Sequence, residues 1–522
     1  DTAPYDCPKT VQILEDAWKV LEKRFVVDPR KPRSGRGGML EAIALVASGK
    51  PGHRKIVHDW VRSKHAKQWH PPTTPAGEMF EPGSKAYKGM QSWHHGYTGL
   101  NCALYYEATG DKFVLPALEK FAINTALGQS GGGSWGHTFA FPSFNGGEFH
   151  RMNPGYGALN AAGNRCFFLI ALAQKLGIKH PEIDQAVKRA HKFFGSYVDQ
   201  GAIPYGDFGA AATDDSNGKN TGIAFAMKLL GDDYGAKYFA MMSSHCAFTR
   251  RGGHGHDYHG NWSSWAASLC GPKVRIYNER NFRWRRTLCR MFDGSFVYHS
   301  PTWEYGPLRD PTATEVLHQA VYLKQTLITG KDPDEDLYPS EREMKQLLTS
   351  AREQFSDPWL MEIDGKPWQE RSTKELIDLL DIFKPKVRGI FARELAKRFK
   401  AGEKEIVPSV VELLASKEPR FRDGALRALG ACGSDVVLAN LSKITPLLSD
   451  SKDFVQITAV KVVSKATDAK DTQLAMLNAT LEEPQTLSPN GVRNVTQYAL
   501  FGKDNILANT PFESDFDEML VR

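Results

Sequence analysis

The stretch RRGGHGHDYHGNWSSW, residues 250–265, carries a dense set of reactive side chains. His254, His256, Asp257 and His259 fall close together in it. Imidazole and carboxylate groups suit proton transfer, and both also ligate zinc. We expect these four residues to line an active site that uses no cofactor. A divalent metal such as zinc, held by His254, His256 and His259, is the alternative.

Aromatic residues accompany further histidines in several other loops. Flat aromatic faces stack on sugar rings, so this composition predicts a site for a polysaccharide or other glycan. Packing against neighbouring glycines is the alternative role for several of the aromatics. The predicted substrate-binding residues are Trp93, His94, His95, Trp135, His137, His150, Arg151, Tyr205, Tyr258, His259, Trp262 and Trp303.

Glycoside hydrolysis needs two carboxyl groups, one protonated and one ionised. A buried glutamate beside aromatics suits the acid, which points to Glu148 or Glu304. Asp207 or Asp257 suits the base. We place hydrolysis first among the reactions because hydrolases are frequent on the fold predicted below, which is an argument from analogy.

Elimination on a uronate polymer is the second reaction. It needs a tyrosine or histidine base and a cation for the substrate carboxylate. Tyr156, His254 and His256 are candidates for the first role, and Arg151 for the second. A non-catalytic scaffold that binds a glycan or a protein is the third hypothesis. An enzyme would bring two titratable groups within about 10 Å of each other, whereas a binding module would show aromatics without paired acids.

Composition bounds the class of protein. The 522 residues are 41% hydrophobic and 24% charged, with a net charge of +6, which is typical of a globular protein. Seven cysteines without a C-x-x-C pair indicate neither a disulfide framework nor a cysteine zinc site. The apolar runs are too short for a membrane span. The run RNFRWRRTLCR (280–290) is interpreted as a basic surface rather than a nucleic-acid site. A start at Asp1 without Met predicts a processed mature protein or an excised piece. We separately expect a secreted or periplasmic location.

A repeated pattern must position these loops. Glycine-rich loops lead into segments of small apolar residues that end at glycine, and a more charged amphipathic segment follows each. Six such pairs predict an all-α domain, an (α/α)6 toroid over residues 1–331, with the long aromatic loops at one end. Residues 274–300 are interpreted partly as strand.

The C-terminal third has a different repeat. The segment 406–433 aligns with the segment 441–468, and Leu413-Leu414 pairs with Leu447-Leu448 at an offset of 34 residues. This resembles HEAT-like repeats and predicts a helical-repeat domain over 385–522, after a charged connecting segment at 332–384. Such an array could bind a protein partner or buttress the first domain.

The strings GYTGLNCALYYEATGD, SWGHTFAFP, NPGYGALNAAG, GAIPYGD and NGKNTGIAFAMKLLGD together resemble an uncharacterised bacterial domain family, in which a similar helical domain often follows a PDZ-like module. The resemblance covers roughly residues 1–330. It implies a toroid-like helical domain and carries no assigned activity.

Overall fold

A computed structural model describes residues 6–26, 35–81, 89–153, 157–206, 210, 217–244, 263–297, 310–350, 362–363 and 366–464. Its contacts divide the chain into two units. The first comprises Asp1–Gly195, Ala202–Asp207 and Thr213–Ser340, and the second comprises Ser196–Gly201, Phe208–Ala212 and Glu341–Arg522. The described elements are helices, apart from one antiparallel pair of two-residue strands, β1 (Glu362–Ile363) and β2 (Lys366–Pro367). The all-helical prediction is therefore confirmed.

The first unit contains twelve described α-helices, joined by loops and short 3-10 turns. They are α1 (Pro8–Val26), α2 (Gly35–Val46), α3 (Pro51–Val61), α4 (Gln91–Thr109), α5 (Leu115–Leu127), α6 (Asn160–Lys175), α7 (Pro181–Gly195), α8 (Asn217–Leu229), α9 (Asp233–Ser244), α10 (Ser263–Ala267), α11 (Gly271–Cys289) and α12 (Thr312–Gln319).

Six of these helices, which carry the small apolar segments, pack against one another in order. α2 contacts α4, which contacts α6, and the series continues through α8, α10 and α12 back to α2. Small residues permit this close approach. A Cβ atom added at Gly99 of α4 would lie 2.6 Å from Leu169 Cδ2 of α6, so no larger residue fits there without movement.

Glycines end these helices as the sequence predicts. Gly110 follows α4 with φ 68°, and its N–H donates to the carbonyl of Tyr106 over 2.8 Å. Gly177 follows α6 with φ 91°. A left-handed residue closes the last turn of a helix, and glycine adopts that conformation without a Cβ clash.

The strand interpretation of residues 274–300 is wrong over most of its length. α11 runs from Gly271 to Cys289, with Pro272 in its first turn, where the missing N–H costs no helical hydrogen bond. Among the described residues of this segment, 274–297, bridge geometry occurs between Arg290 and Phe296 alone. The β-branched and aromatic residues that suggested strand therefore lie on a helix whose packing overrides their propensity.

The described helices of the second unit are shorter on average. They are α13 (Glu341–Ser350), α14 (Thr373–Asp378), α15 (Pro385–Lys400), α16 (Ile406–Glu412), α17 (Pro419–Cys432), α18 (Ser434–Ala439), α19 (Leu441–Ile444) and α20 (Asp453–Val463). α17 and α20 begin 34 residues apart, which matches the offset in the sequence. Leu414 and Leu448 are both buried before them, so the alignment reflects equivalent core positions.

A buried ion network holds the second unit together. Asp199 and Asp423 are both fully buried carboxylates. Asp199 accepts from Arg420 over 2.9 Å and from Arg388 over 3.5 Å. Asp423 lies 3.2 Å from Arg388 and 2.7 Å from Arg427. Arg388 therefore links two carboxylates that are far apart in sequence, which offsets the cost of burying all these charges.

No helix in the described ranges is long and apolar enough to cross a bilayer.

Candidate functional site

The candidate site begins at the N-terminal end of α4, where Trp93 and His137 form a hydrogen-bonded pair. Trp93 Nε1 donates to His137 Nδ1 over 2.8 Å. The backbone N–H of Ser92 donates to the carbonyl of His137 over 3.3 Å, which fixes the loop against the helix. Because Nδ1 accepts, a neutral His137 ring carries its proton on Nε2.

Asn160, the first residue of α6, connects three segments around this pair. Its buried amide donates to the carbonyls of Pro204 over 3.2 Å and Gly206 over 2.7 Å. Its Oδ1 accepts from Ser134 Oγ over 2.9 Å. A single side chain therefore sets the position of the loop before His137 and of the loop that carries Tyr205.

Trp93 and Tyr205, which we call the aromatic pair, share one apolar support. Both side chains pack against the buried cluster of Leu159, Ala161 and Ala162 at the start of α6. Both are half-buried, so part of each ring faces solvent. Two partly exposed aromatic rings on one rigid apolar base form a surface suited to stacking on sugar rings.

A buried arginine lies beneath this surface. Trp93 and Tyr97, one helical turn apart, stack with ring centroids 6.0 Å apart. The Arg165 guanidinium lies 4.2 Å from the centre of the Tyr97 ring and is fully buried. Arg165 also donates to the carbonyl of Ala161 over 2.7 Å. The stacked rings therefore rest on a fixed positive charge, held by a cation–π contact.

His94 and His95 lie on other faces of α4. His94 Nδ1 is 3.2 Å from Thr98 Oγ1. His95 is buried, with its ring 5.0 Å from the Phe139 ring. Burial lowers the pKa of His95 to about 3, with a further contribution from His94. His95 is thus a neutral core histidine at physiological pH.

Trp135 and His150 connect loops to the helices behind them. Trp135 is fully buried, and its Nε1 donates to the carbonyl of Thr125 over 2.8 Å. His150 lies within hydrogen-bonding distance of the Gln129 carbonyl at 3.2 Å and of Glu182 Oε2 at 2.9 Å. Burial, together with Arg189, lowers the pKa of His150. Through these contacts, Trp135 and His150 stabilise the loops in which they lie.

Glu148 and Arg151 lie at the surface. They form an ion pair with each other, and each side chain is 60% exposed. The apolar, enclosed environment that favours a protonated catalytic carboxyl group is therefore absent at Glu148. The structure does not bring either residue into contact with the aromatic pair among the described interactions.

The remaining predicted residues lie outside the described part of the chain, so their roles stay predictions. They are Tyr156, Asp207, His254, His256, Asp257, Tyr258, His259, Trp262, Trp303 and Glu304. The zinc alternative depends on three of these histidines. Within the described ranges, no group of three or more His, Cys, Asp or Glu side chains is arranged to hold a metal ion.

Sequence reasoning missed a buried charged cluster on α11 and α12. Glu279 pairs with both Arg275 and Arg286. Arg286 Nε also donates to Glu315 over 3.0 Å, and its Nη2 is 3.2 Å from His318 Nδ1. The i,i+4 spacing of Arg275 and Glu279 is the one sequence signal for this cluster.

Comparison with known proteins finds a match in two separate parts of the chain. Residues 10–330 match the family described as a domain of unknown function, DUF6288, and residues 373–464 match HEAT repeats. No relative is found among curated proteins. A solved structure, that of an engineered protein, aligns over 93% of this chain and 98% of its own at 12% identity, with a TM-score of 0.22. That similarity is too low to support any argument.

Proposed function

We propose the function of this chain, which belongs to the DUF6288 family of domains of unknown function, from the site itself. The first unit binds a glycan on the aromatic pair and cleaves it. Hydrolysis is the first candidate for the cleavage reaction. The observation that carries the proposal is the convergence of Trp93 and Tyr205 on one apolar base. Aromatic rings held in this way match the apolar faces of sugar rings.

The proposal includes the fold of the unit. We propose that its six small-residue helices form the inner layer of an (α/α)6 toroid. The return of the contact series from α12 to α2 supports this arrangement. In such a fold the loops that precede the inner helices share one end. That end would bring the aromatic pair near Asp207, Asp257 and Glu304, the carboxylates proposed for hydrolysis.

A non-catalytic glycan-binding scaffold is the second candidate. It is favoured by the exposure of Glu148, since no pair of carboxylates accompanies the aromatic pair among the described residues. Elimination through Tyr156, His254 and His256 is the alternative reaction. The HEAT repeats suggest that the second unit binds a protein partner. A glycan substrate would fit the secreted or periplasmic location that we propose.

Binding and cleavage can be tested separately. We would measure binding to neutral, uronic and sulfated polysaccharides by affinity electrophoresis, with Trp93→Ala and Tyr205→Ala. Each variant should weaken binding about tenfold through loss of a stacking face. Trp284→Ala is the matched control, because Trp284 is 50% exposed on α11 and lies outside the site. Equal binding by all four proteins would overturn the aromatic-pair site.

Product analysis then separates the candidate functions. New reducing ends without the ultraviolet absorbance of an unsaturated uronate would indicate hydrolysis, and they should disappear in Asp207→Asn, Asp257→Asn or Glu304→Gln. Reducing ends with that absorbance would indicate elimination. Binding without any product would reject cleavage and favour the scaffold.

A further inference from the structure

A cavity in the first unit shares no residue with the aromatic pair or its supports. Its volume is about 390 Å³, within the size range of small-molecule pockets. The first turns of α1, one face of α11 and the turn that follows α11 line it. Its lining residues include Thr10, Ile13, Glu279, Arg283, Arg286 and Arg290.

The cavity is strongly basic. Lys9, Arg283, Arg286 and Arg290 line it, and Glu279 is its one acidic residue. The three arginines follow Glu279 at steps of four, three and four residues, which places Glu279, Arg283 and Arg286 on one face of α11 and Arg290 directly after its last residue. A ligand in this cavity would therefore meet several guanidinium groups from a single rigid helix.

Two of the four cations are already compensated. Arg286 pairs with Glu279 and Glu315, and Arg290 lies 2.8 Å from Asp16. Lys9 and Arg283, by contrast, are exposed, and neither side chain has an ion-pair or hydrogen-bond partner among the described residues, although the Arg283 carbonyl accepts from Thr287. Two positive charges therefore remain to be matched by a ligand.

The floor of the cavity is rigid. Arg286 is 8% exposed, and Glu315 and His318 fix its guanidinium from the other side, at 3.0 Å and 3.2 Å. A guanidinium held in this way needs little reorganisation when an anion binds. The first turn of α1 adds the partial positive charge of a helix N-terminus, since Cys7 and Thr10 also line the cavity.

The other wall of the cavity is apolar. Ile13, Met291 and Phe296 line it, and the fully exposed Phe292 lies at its edge. A ligand that carries a charge at one end and a ring or short hydrocarbon at the other satisfies both walls. A bare inorganic ion would leave the apolar wall in contact with water.

We propose that this cavity binds a small organic phosphate monoester, with its dianionic head at Lys9 and Arg283 and its apolar body against Ile13, Met291 and Phe296. A phosphate monoester carries a charge of about −1.5 to −2 at neutral pH, which matches the two uncompensated cations. The site is separate from the proposed glycan site and does not depend on it.

Cys7 provides a reporter for occupancy. It lines the cavity, whereas the other described cysteines are buried. The experiment measures alkylation of Cys7 by iodoacetamide, located by peptide mass spectrometry, while phenyl phosphate is titrated. Phenyl phosphate should slow the alkylation in proportion to the occupied fraction, and raised salt should weaken its binding. Inorganic phosphate carries only the charged part of this ligand, and phenol carries only its ring. Each should protect Cys7 much less than phenyl phosphate does.

The double variant Lys9→Gln/Arg283→Gln should bind phenyl phosphate at least about tenfold more weakly than the wild-type protein. Both side chains are exposed, so the fold should be unaffected, which circular dichroism checks. Lys112→Gln/Lys188→Gln is the matched control, since it removes the same charge from exposed positions outside the cavity. Protection that persists in the cavity variant, or equal protection by inorganic phosphate or phenol, would overturn the proposal.

Discussion

Trp93 and His137 are joined by a hydrogen bond of 2.8 Å from the indole nitrogen to imidazole Nδ1. The bond connects a helix start to a loop 44 residues further along the chain. It also holds the Trp93 ring in one orientation above the start of α6, where Tyr205 packs on the same support. His137 is therefore a positioning residue for the proposed stacking surface.

Loss of this bond should weaken glycan binding. We expect His137→Ala to lower affinity about fivefold, since a single hydrogen bond contributes about 1 kcal/mol net. Titration calorimetry with an oligosaccharide that the wild-type protein binds measures the effect. His58→Ala, at an exposed position on α3, should leave affinity unchanged. The double variant Trp93→Phe/His137→Ala should lose less binding free energy than the sum of the two single variants, because both single variants remove the same hydrogen bond. Fully additive losses would contradict the pairing.

His95 should make the first unit sensitive to mild acid. Its pKa is about 3 in the folded protein against an ordinary value of 6.5. The unfolded chain therefore binds a proton below pH 6.5 that the folded protein does not bind until much lower pH, so stability falls as pH falls. Between pH 6.5 and about pH 5 the free energy of unfolding should drop by about 2 kcal/mol on account of His95.

Chemical denaturation at a series of pH values measures this effect. His95→Gln should flatten the pH dependence by that amount, whereas His58→Gln, at an exposed position, should retain the wild-type slope. An unchanged slope in His95→Gln would show that the ring is not the neutral buried group that the structure describes.

Asp423 should be essential to the second unit. Asp423→Asn removes the carboxylate that pairs with Arg427 and leaves the buried Arg388 with Asp199 alone, and removal of one member of a buried ion pair costs about 3–5 kcal/mol. Faster hydrogen exchange in peptides from α15 and α17 measures the loss. Asp435→Asn, exposed on α18, is the matched control and should exchange like the wild-type protein.

The same carboxylate should contribute to the acid response of that unit. Burial raises the pKa of Asp423, but Arg427 and Arg388 outweigh it, so the pKa lies below the ordinary value of 3.8. Its contribution to stability is therefore present above the ordinary carboxyl range and lost as pH falls through the lowered pKa. Hydrogen exchange in the Asp423→Asn variant should show no such transition at low pH. A transition that persists in this variant would come from another group.

Local patterns in the sequence predicted the helices well. Glycines such as Gly110 and Gly177 end helices for a steric reason that needs no knowledge of distant residues. The 34-residue offset likewise predicted equivalent buried positions at Leu414 and Leu448. α11 was harder to predict, because its aromatic and β-branched residues favour strand locally while long-range packing decides for helix.

The candidate site was predictable only in part. Trp93 and His137 were both predicted to bind substrate, which stays a prediction, and the structure joins their side chains by a hydrogen bond. His95 was expected at the same site, but two residues along a helix correspond to about 200° of rotation, which turns it away from Trp93. Asn160 carried no signal, because its partners lie at Ser134, Pro204 and Gly206 and no local spacing encodes them.

The division of the chain into two units has a consequence for dissecting the protein. The six residues Ser196–Gly201 belong to the second unit, yet the residues on either side of them belong to the first. Excising the family match, residues 10–330, would therefore carry away Asp199 without Arg388 and Arg420. The Asp199 carboxylate would then need solvation by water in place of its two arginine partners. In the second unit, Arg388 and Arg420 would each lose one carboxylate partner. Boundaries drawn on the linear sequence and boundaries drawn on cooperative folding thus differ, and a single cut of the backbone cannot yield two intact halves.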